Sequence, residues 1–368
     1  MTSMTVLQVI PQLPGSYGGV GDYALNLARA LSANRGLRTT FVVAHQTEVT
    51  SIEEFPVLSG LNSVAHLDSF KQKPEHVILN YVNYGYQIRG VPFQLRDFAR
   101  QFRRDLPGRW VTMFHELYAS GPPWRSAFWL RPLQVKIARD MIDISDSCFV
   151  SSDIIANEIH AYAPHKPVRL LPVMSNFGEP PPIDFERRSQ NRWAICGGTK
   201  LIARALRSFP KAQQMIPKIY FPEQLEIIGG REDSEVHGLL RRLGRTMSGL
   251  SCHYHPAATA ERASEILSGC SFAWIDYFER GKAWPGMIFK STSFAACCAH
   301  GVVPILSHEE DPPSVAGDRF PGLYFVTLRG AKFPPPEGLA EIQKKIYAWY
   351  HRHASAERTA RAYSEALA

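Results

Sequence analysis

The stretch TVLQVIPQLPGSYGGVGDYALNLARAL, Thr5 to Leu31, decides the fold of this chain. Val6, Leu7, Val9 and Ile10 make a short apolar strand. A proline-bearing loop (Pro11 to Tyr17) follows, then Gly18-Gly19-Val20-Gly21-Asp22-Tyr23, and then Leu25, Leu27, Ala28 and Leu31 at helical spacing. Strand, glycine loop and helix in that order start a βα unit. Glycines at 18, 19 and 21 remove side chains where the backbone must turn sharply or meet a ligand, and a helix start behind them directs unpaired N–H groups outward. The loop is therefore suited to something polar or anionic.

Gly19-Val20-Gly21-Asp22-Tyr23-Ala24 fits the Gly-x-Gly-x-x-Gly/Ala dinucleotide fingerprint by its letters. Its setting does not fit. In that fingerprint the first glycine follows the strand at once and an acid ends the second strand. Here residues 11 to 18 intervene, and the next strand, Thr39 to Ala44, runs into His45-Gln46. A nicotinamide-dependent enzyme is thus disfavoured.

The rest of the chain has room for two such domains. Its 368 residues, 45% apolar and 20% charged, are a globular composition long enough to bury two cores. No apolar run reaches the roughly 18 residues of a spanning helix, and the N-terminus has neither the basic start nor the apolar block of a signal peptide, so the sequence reads as cytoplasmic. Six scattered cysteines (148, 196, 252, 270, 297 and 298) form no Cys-x-x-Cys pair and read as buried thiols. His253 and His255 alternate on one strand face with no third ligand apparent, so no metal site is expected. Forty-one basic against 34 acidic residues give +7, which favours an anionic partner. A nucleotide diphosphate answers that charge, and a peripheral contact with an anionic membrane stays open. Zinc-finger spacing, RNA-binding aromatic signatures and dense basic runs are all missing, which argues against nucleic acid.

From Thr39 onward strands and helices alternate, as in a parallel sheet covered on both faces. His76 to Val82 runs out into Asn80-Tyr81-Val82-Asn83-Tyr84, where amides and phenols cluster at a strand end. Trp110 to Phe114 ends at His115-Glu116; the histidine can polarise a hydroxyl and the carboxylate can orient it. Glu179-Pro180-Pro181-Pro182 is stiff and reads as an interdomain linker, which places the boundary near 185. The alternation restarts at Trp193. Gly197-Gly198-Thr199-Lys200 with Arg204 beyond it, Gly229-Gly230 after the strand from Leu225, and Lys290-Ser291-Thr292 opening a helix all suit phosphate.

Taken together, the glycine loop, His115-Glu116 and the run from Lys290 to Pro304 resemble the retaining glycosyltransferases of the GT-B architecture, family 4 and its relatives. That resemblance implies an α/β protein with two Rossmann-like domains facing each other across a cleft: 1–185 on the acceptor side, 186–345 for the nucleotide-sugar donor, and a last helical segment, 346–368, packing back on the first domain. It implies transfer of a sugar from a nucleotide diphosphate, UDP- or GDP-linked, to a hydroxyl with retention and without metal or other cofactor. The acceptor would be a glycan, a lipid-linked glycan or a small molecule. His115, Glu116, Lys200, Arg204 and Lys290 are its catalytic candidates. Gly18, Gly19, Gly21, Gly229, Gly230, Ser291 and Thr292 would hold the donor, and Asp22, Tyr81, Asn83 and Tyr84 the acceptor. The chain departs from the family pattern at one place: the two glutamates that bracket the donor loop are replaced by Ile288 and Ala296. A non-catalytic sugar- or nucleotide-binding protein on the same fold is the alternative, and an adapter indifferent to nucleotides is a further rival.

Overall fold

The computed structural model describes residues 4–15, 19–61, 73–106, 108–119, 121–182, 184–278 and 286–368. The chain forms two compact units, residues 1–172 with 356–368, and residues 173–355.

The first unit runs β1 (Thr5–Ile10), α1 (Val20–Arg35), β2 (Arg38–Val43), β3 (Ser51–Ile52), β4 (Phe55–Ser59), β5 (His76–Tyr81), α2 (Asn83–Tyr86), α3 (Phe93–Asp105), β6 (Trp110–Phe114), α4 (Ser126–Ile144), β7 (Ser147–Val150), α5 (Asp153–Tyr162) and β8 (Val168–Leu170). Its sheet has the order β3-β4-β2-β1-β5-β6-β7-β8, and every pairing except β3 with β4 is parallel. β1 is central and buried along its whole length, which is why it reads as an unbroken apolar run rather than an alternating one. Its pleat still sorts side chains. Leu7 and Val9 enter the core built with α3 and α4, whereas Ile10 packs with Ala24, Leu25 and Ala28 of α1. Gly36, at φ 63°, stops α1 by turning the chain into the left-handed region.

The second unit runs β9 (Ser189–Cys196), α6 (Thr199–Ala212), β10 (Gln224–Ile228), α7 (Ser234–Thr246), β11 (Ser251–His255), α8 (Ala260–Ser268), β12 (Cys270–Ile275), α9 (Thr292–Ala299), β13 (Val303–Leu306), β14 (Ser314–Val315), β15 (Asp318–Arg319), β16 (Tyr324–Val326), β17 (Ala331–Lys332) and α10 (Leu339–His353). Its main sheet has the order β11-β10-β9-β12-β13-β16-β17, parallel except for the last pair. An aromatic cluster fills its core. Trp193 lies 5.0 Å from Phe272 between ring centres, Tyr220 lies 4.8 Å from Phe272, and the Trp193 indole N–H donates to the Tyr220 carbonyl at 2.9 Å. The six cysteines are free thiols.

The division falls earlier than the expected linker. Val173 N–H donates to the Phe289 carbonyl at 3.0 Å, Ser175 N–H to the Tyr350 hydroxyl at 2.8 Å, and that hydroxyl donates to Glu179 at 2.7 Å. These bonds tie residues 173–180 into the second unit. At the other end α10 packs on α9 and β13, so the segment that rejoins the first unit begins at Ala356 rather than near 346. That segment is α11 (Ala356–Leu367), which lies on α1 and β6. Its Tyr363 ring stacks at 4.5 Å on Phe149, and its hydroxyl meets that of Tyr23 at 3.3 Å.

Candidate functional site

In parallel sheets the strand ends that carry ligands are the carboxyl ends, and in the first unit those of β1, β5 and β6 lie side by side. Gly18 lies outside the described residues. Gly19 is exposed and starts α1, and Asp22 in the first turn accepts the Gly15 N–H at 3.2 Å, holding the loop closed. Gly21 has a packing reason to lack a side chain: a Cβ there would lie 2.8 Å from backbone atoms of Leu13 and Pro14. His115, at the end of β6, is nearly buried. Its Nε2–H donates to Asn80 Oδ1 at 3.3 Å, and the edge of one ring meets the face of the other where it packs 5.1 Å from Tyr23. Glu116 beside it is half-buried.

Two acceptor-side expectations need correction. Tyr81 is fully buried against Phe114, with ring centres 5.4 Å apart, so its phenol is a core group and burial pushes its ionisation up. Asn83 is also fully buried, donating to the Gly90 carbonyl at 3.4 Å. In both cases the strand's alternation and the turn behind it aim the side chain inward. Tyr84 alone of the three is partly open, and its hydroxyl accepts from Gln134 at 3.1 Å.

In the second unit three segments meet at the carboxyl ends of β9 and β10. A Cβ at Gly229 would lie 2.7 Å from the Gly197 carbonyl, one at Gly230 3.0 Å from Thr199 Oγ1, and one at Gly197 2.8 Å from Ser293 Oγ. Gly197, Gly229 and Gly230 all have positive φ, and Thr199 Oγ1 accepts the Arg231 N–H at 2.9 Å. Glycine is therefore required there twice over, by backbone conformation and by close approach. Lys200 and Arg204, one helical turn apart on α6, lie on one face above this junction. Lys200 is exposed, while Arg204 is half-buried and donates to the Tyr277 carbonyl at 2.7 Å.

Arg204 also lines a pocket of about 590 Å³ with Ser208 and Lys211 of α6, Asp276 after β12, and Ser307 and His308 after β13. Ser307 donates to Asp276 at 2.8 Å, and Trp274 donates through its indole to Ser208 at 3.0 Å. His308 Nε2 meets the buried Glu310 carboxylate at 3.0 Å, and Glu310 also accepts the Gly286 N–H at 2.7 Å. The sequence reading missed these polar groups. Their signal was positional, since Asp276, Ser307 and His308 directly follow the last residues of two parallel strands.

Around α9 the expectations change in detail. Lys290 ends a tight turn (Met287–Lys290) and is half-buried. Ser291 is buried and its Oγ accepts the Phe294 N–H at 3.2 Å, so this hydroxyl is the helix cap rather than an open ligand group. Thr292 is half-buried. Ile288 and Ala296 are both buried in the core, and no carboxylate takes their places. His253 and His255 converge on Glu226, which Arg192 also holds through two hydrogen bonds of 3.0 and 2.8 Å. Burial alone would raise the pKa of Glu226, but the hydrogen bonds from His255, Arg192 and His253 carry it below the usual range.

No protein-family model matches the chain, and no curated protein sequence does. Solved structures match along its whole length at low identity. An α-glucosyltransferase in complex with UDP is 11% identical over 100% of both chains with a TM-score of 0.60. The GtfA/B complex gives 11% over 99% of each chain and 0.58, and WaaG, a glycosyltransferase involved in lipopolysaccharide biosynthesis, 11% over 98% of this chain and 95% of that one at 0.52. The chain is thus an α/β protein with two parallel Rossmann-like sheets, and its fold is that of GT-B glycosyltransferases.

Proposed function

We propose that the chain transfers a sugar from a nucleotide-diphosphate sugar to a hydroxyl acceptor with retention, in the assembly of a polysaccharide or glycolipid. The observation that carries this reading is the convergence of Gly197, Gly229-Gly230 and the start of α9 under Lys200 and Arg204. Such a junction offers backbone N–H groups, a helix start and two cations to a diphosphate without any metal. Structures of the same fold hold UDP and UDP-glucose, which favours a uridine donor. In this reading Lys200, Arg204 and Lys290 stabilise the departing diphosphate. Gly229, Gly230 and Thr292 line the donor, while His115 and Glu116 orient the acceptor hydroxyl with Gly19, Asp22 and Tyr84 nearby. Catalysis comes from positioning and charge, and no protein nucleophile is needed.

One observation favours a second reading, a nucleotide- or sugar-binding protein without turnover: Ile288 and Ala296 are core residues where the family's donor loop carries acids. Thermal shifts with UDP, GDP, ADP and dTDP, with and without EDTA, followed by hydrolysis of the matching nucleotide sugar, separate the readings. A selective shift that survives EDTA with slow donor hydrolysis supports the transferase. A shift without hydrolysis or transfer supports the binding protein, and no shift at all removes both.

A further inference from the structure

The first unit leaves large apolar side chains in solvent, and they are not scattered. Trp124 is 82% exposed, Trp129 71%, Phe128 43% and Leu133 41%. On α4 the positions 128, 129, 132, 133 and 136 follow helical spacing, so Phe128, Trp129, Pro132, Leu133 and Lys136 form one exposed stripe, with Trp124 just ahead of it. The opposite face, Gln134, Ile137, Ala138, Met141 and Ile142, is buried on the sheet. Ile88, 86% exposed, belongs to the same neighbourhood, because Gln134 of α4 donates to the Arg89 carbonyl at 2.9 Å.

The charge around this stripe has one sign. From Leu117 to Arg139 the chain carries Arg125, Arg131, Lys136 and Arg139 and no acidic residue, and from Val82 to Arg96 it carries Arg89 and Arg96 and again none. All four basic residues of the first stretch are exposed. Exposed tryptophans beside an acid-free set of arginines on one helix face are costly in water. They match the headgroup region of a bilayer, where an indole has an apolar body in the acyl boundary and its N–H in the wet layer, and where basic side chains meet lipid phosphate. A protein partner would equally bury tryptophan, but would ordinarily set acids against these arginines and mix charges at the rim.

We propose that the N-terminal half of α4, with Trp124 and the segment at Ile88-Arg89, docks the first unit on an anionic lipid surface. α3 and α4 both start from the carboxyl ends of their strands, so the surface lies at the same end of the sheet as His115. The docking does not depend on the transferase reading, and it holds or fails on binding alone.

The test uses the full chain and two kinds of vesicle, phosphatidylcholine alone and phosphatidylcholine with about one-third phosphatidylglycerol, scored by co-sedimentation at low and high salt. The expected result is binding to the anionic vesicles only, weakened by salt, and reduced more than tenfold both in W124S/W129S and in R125E/R131E. Both variants should melt as the parent does, since all four side chains are exposed. Quenching of tryptophan emission by brominated lipid should be strong in the parent and mostly lost in W124F/W129F, which keeps the apolar surface and so reads insertion rather than folding. Absence of vesicle binding, equal binding to neutral vesicles, binding that survives both variants, or capture of a DNA duplex through these residues in place of vesicles overturns the proposal.

Discussion

Arg204 and His115 carry the two halves of the proposed chemistry, and each makes a distinct prediction. Arg204 is anchored on the Tyr277 carbonyl, so its guanidinium is held in place rather than free to sweep solvent. Replacing it with Gln should lower nucleotide-diphosphate affinity about tenfold or more, the cost of one charge-assisted contact, read as a lost thermal shift with the fold unchanged. His115→Ala should keep that shift and reduce transfer to the acceptor about a hundredfold, within the range for a positioned acid–base group. Equal activity in this variant would remove the acceptor-side role. Tyr81 makes the converse prediction. Its hydroxyl is buried with no hydrogen-bond partner among the described residues, so Tyr81→Phe should leave activity intact and change stability by less than about 1 kcal/mol in urea unfolding.

At the scale of the element, loop and helix constrain each other through single atoms. Ala at Gly21 would gain up to about 1 kcal/mol of helix propensity, but its Cβ would press on backbone carbon and nitrogen 2.8 Å away that cannot rotate aside. The steric cost wins, and a net loss of about 1 to 3 kcal/mol is expected on denaturation. Helix α9 ends on His300, which is fully buried, donates from Nδ1 to the Ala296 carbonyl at 2.7 Å and accepts the Ser264 hydroxyl at Nε2, also at 2.7 Å. This neutral imidazole is satisfied on both sides, and burial, helped by Arg188 and His351, lowers its pKa to about 4 against an ordinary 6.5. Because the folded state resists the proton, the unfolded chain binds it first. Stability from this site is complete above pH 6.5 and is lost as pH falls toward 4, by about 3 kcal/mol in all. The melting temperature of the parent should drop across that window more steeply than that of His300→Gln.

At the scale of the molecule, the first unit is completed by residues from the far end of the sequence. Thr359, Ala360, Ala362, Tyr363, Ala366 and Leu367 of α11 are buried, and Tyr363 shares its hydroxyl with Tyr23 of α1, two residues after the packed Gly21. Burying Tyr363 and Leu367 alone is worth on the order of 4 kcal/mol, a large part of an ordinary domain's 5 to 15. A chain ending at Ser355 should therefore lose the cooperative melting of the first unit while the second melts as before, a difference calorimetry can resolve. Unchanged melting of both would show that α11 is dispensable.

How much of this was written in the chain follows from the range of each interaction. The strands and helices were legible because their causes are local: apolar runs mark β1, β6 and β12, and glycine after strand marks the loops at Gly19, Gly197 and Gly229. Two parallel α/β halves follow from that alternation alone. The candidate cations were legible too, since a lysine or arginine at a helix start is a statement about a few neighbouring residues. What the sequence left open depended on contacts between distant segments. Whether Tyr81 faces core or solvent is set by the pleat and by Phe114, whether Ser291 caps or binds is set by where α9 begins, and the boundary at Pro172 is set by Phe289 and Tyr350. Asp276, Ser307 and His308 are unremarkable as letters. Parallel pairing of β12 with β13 sets them side by side beneath Arg204, and only the tertiary structure makes that pairing.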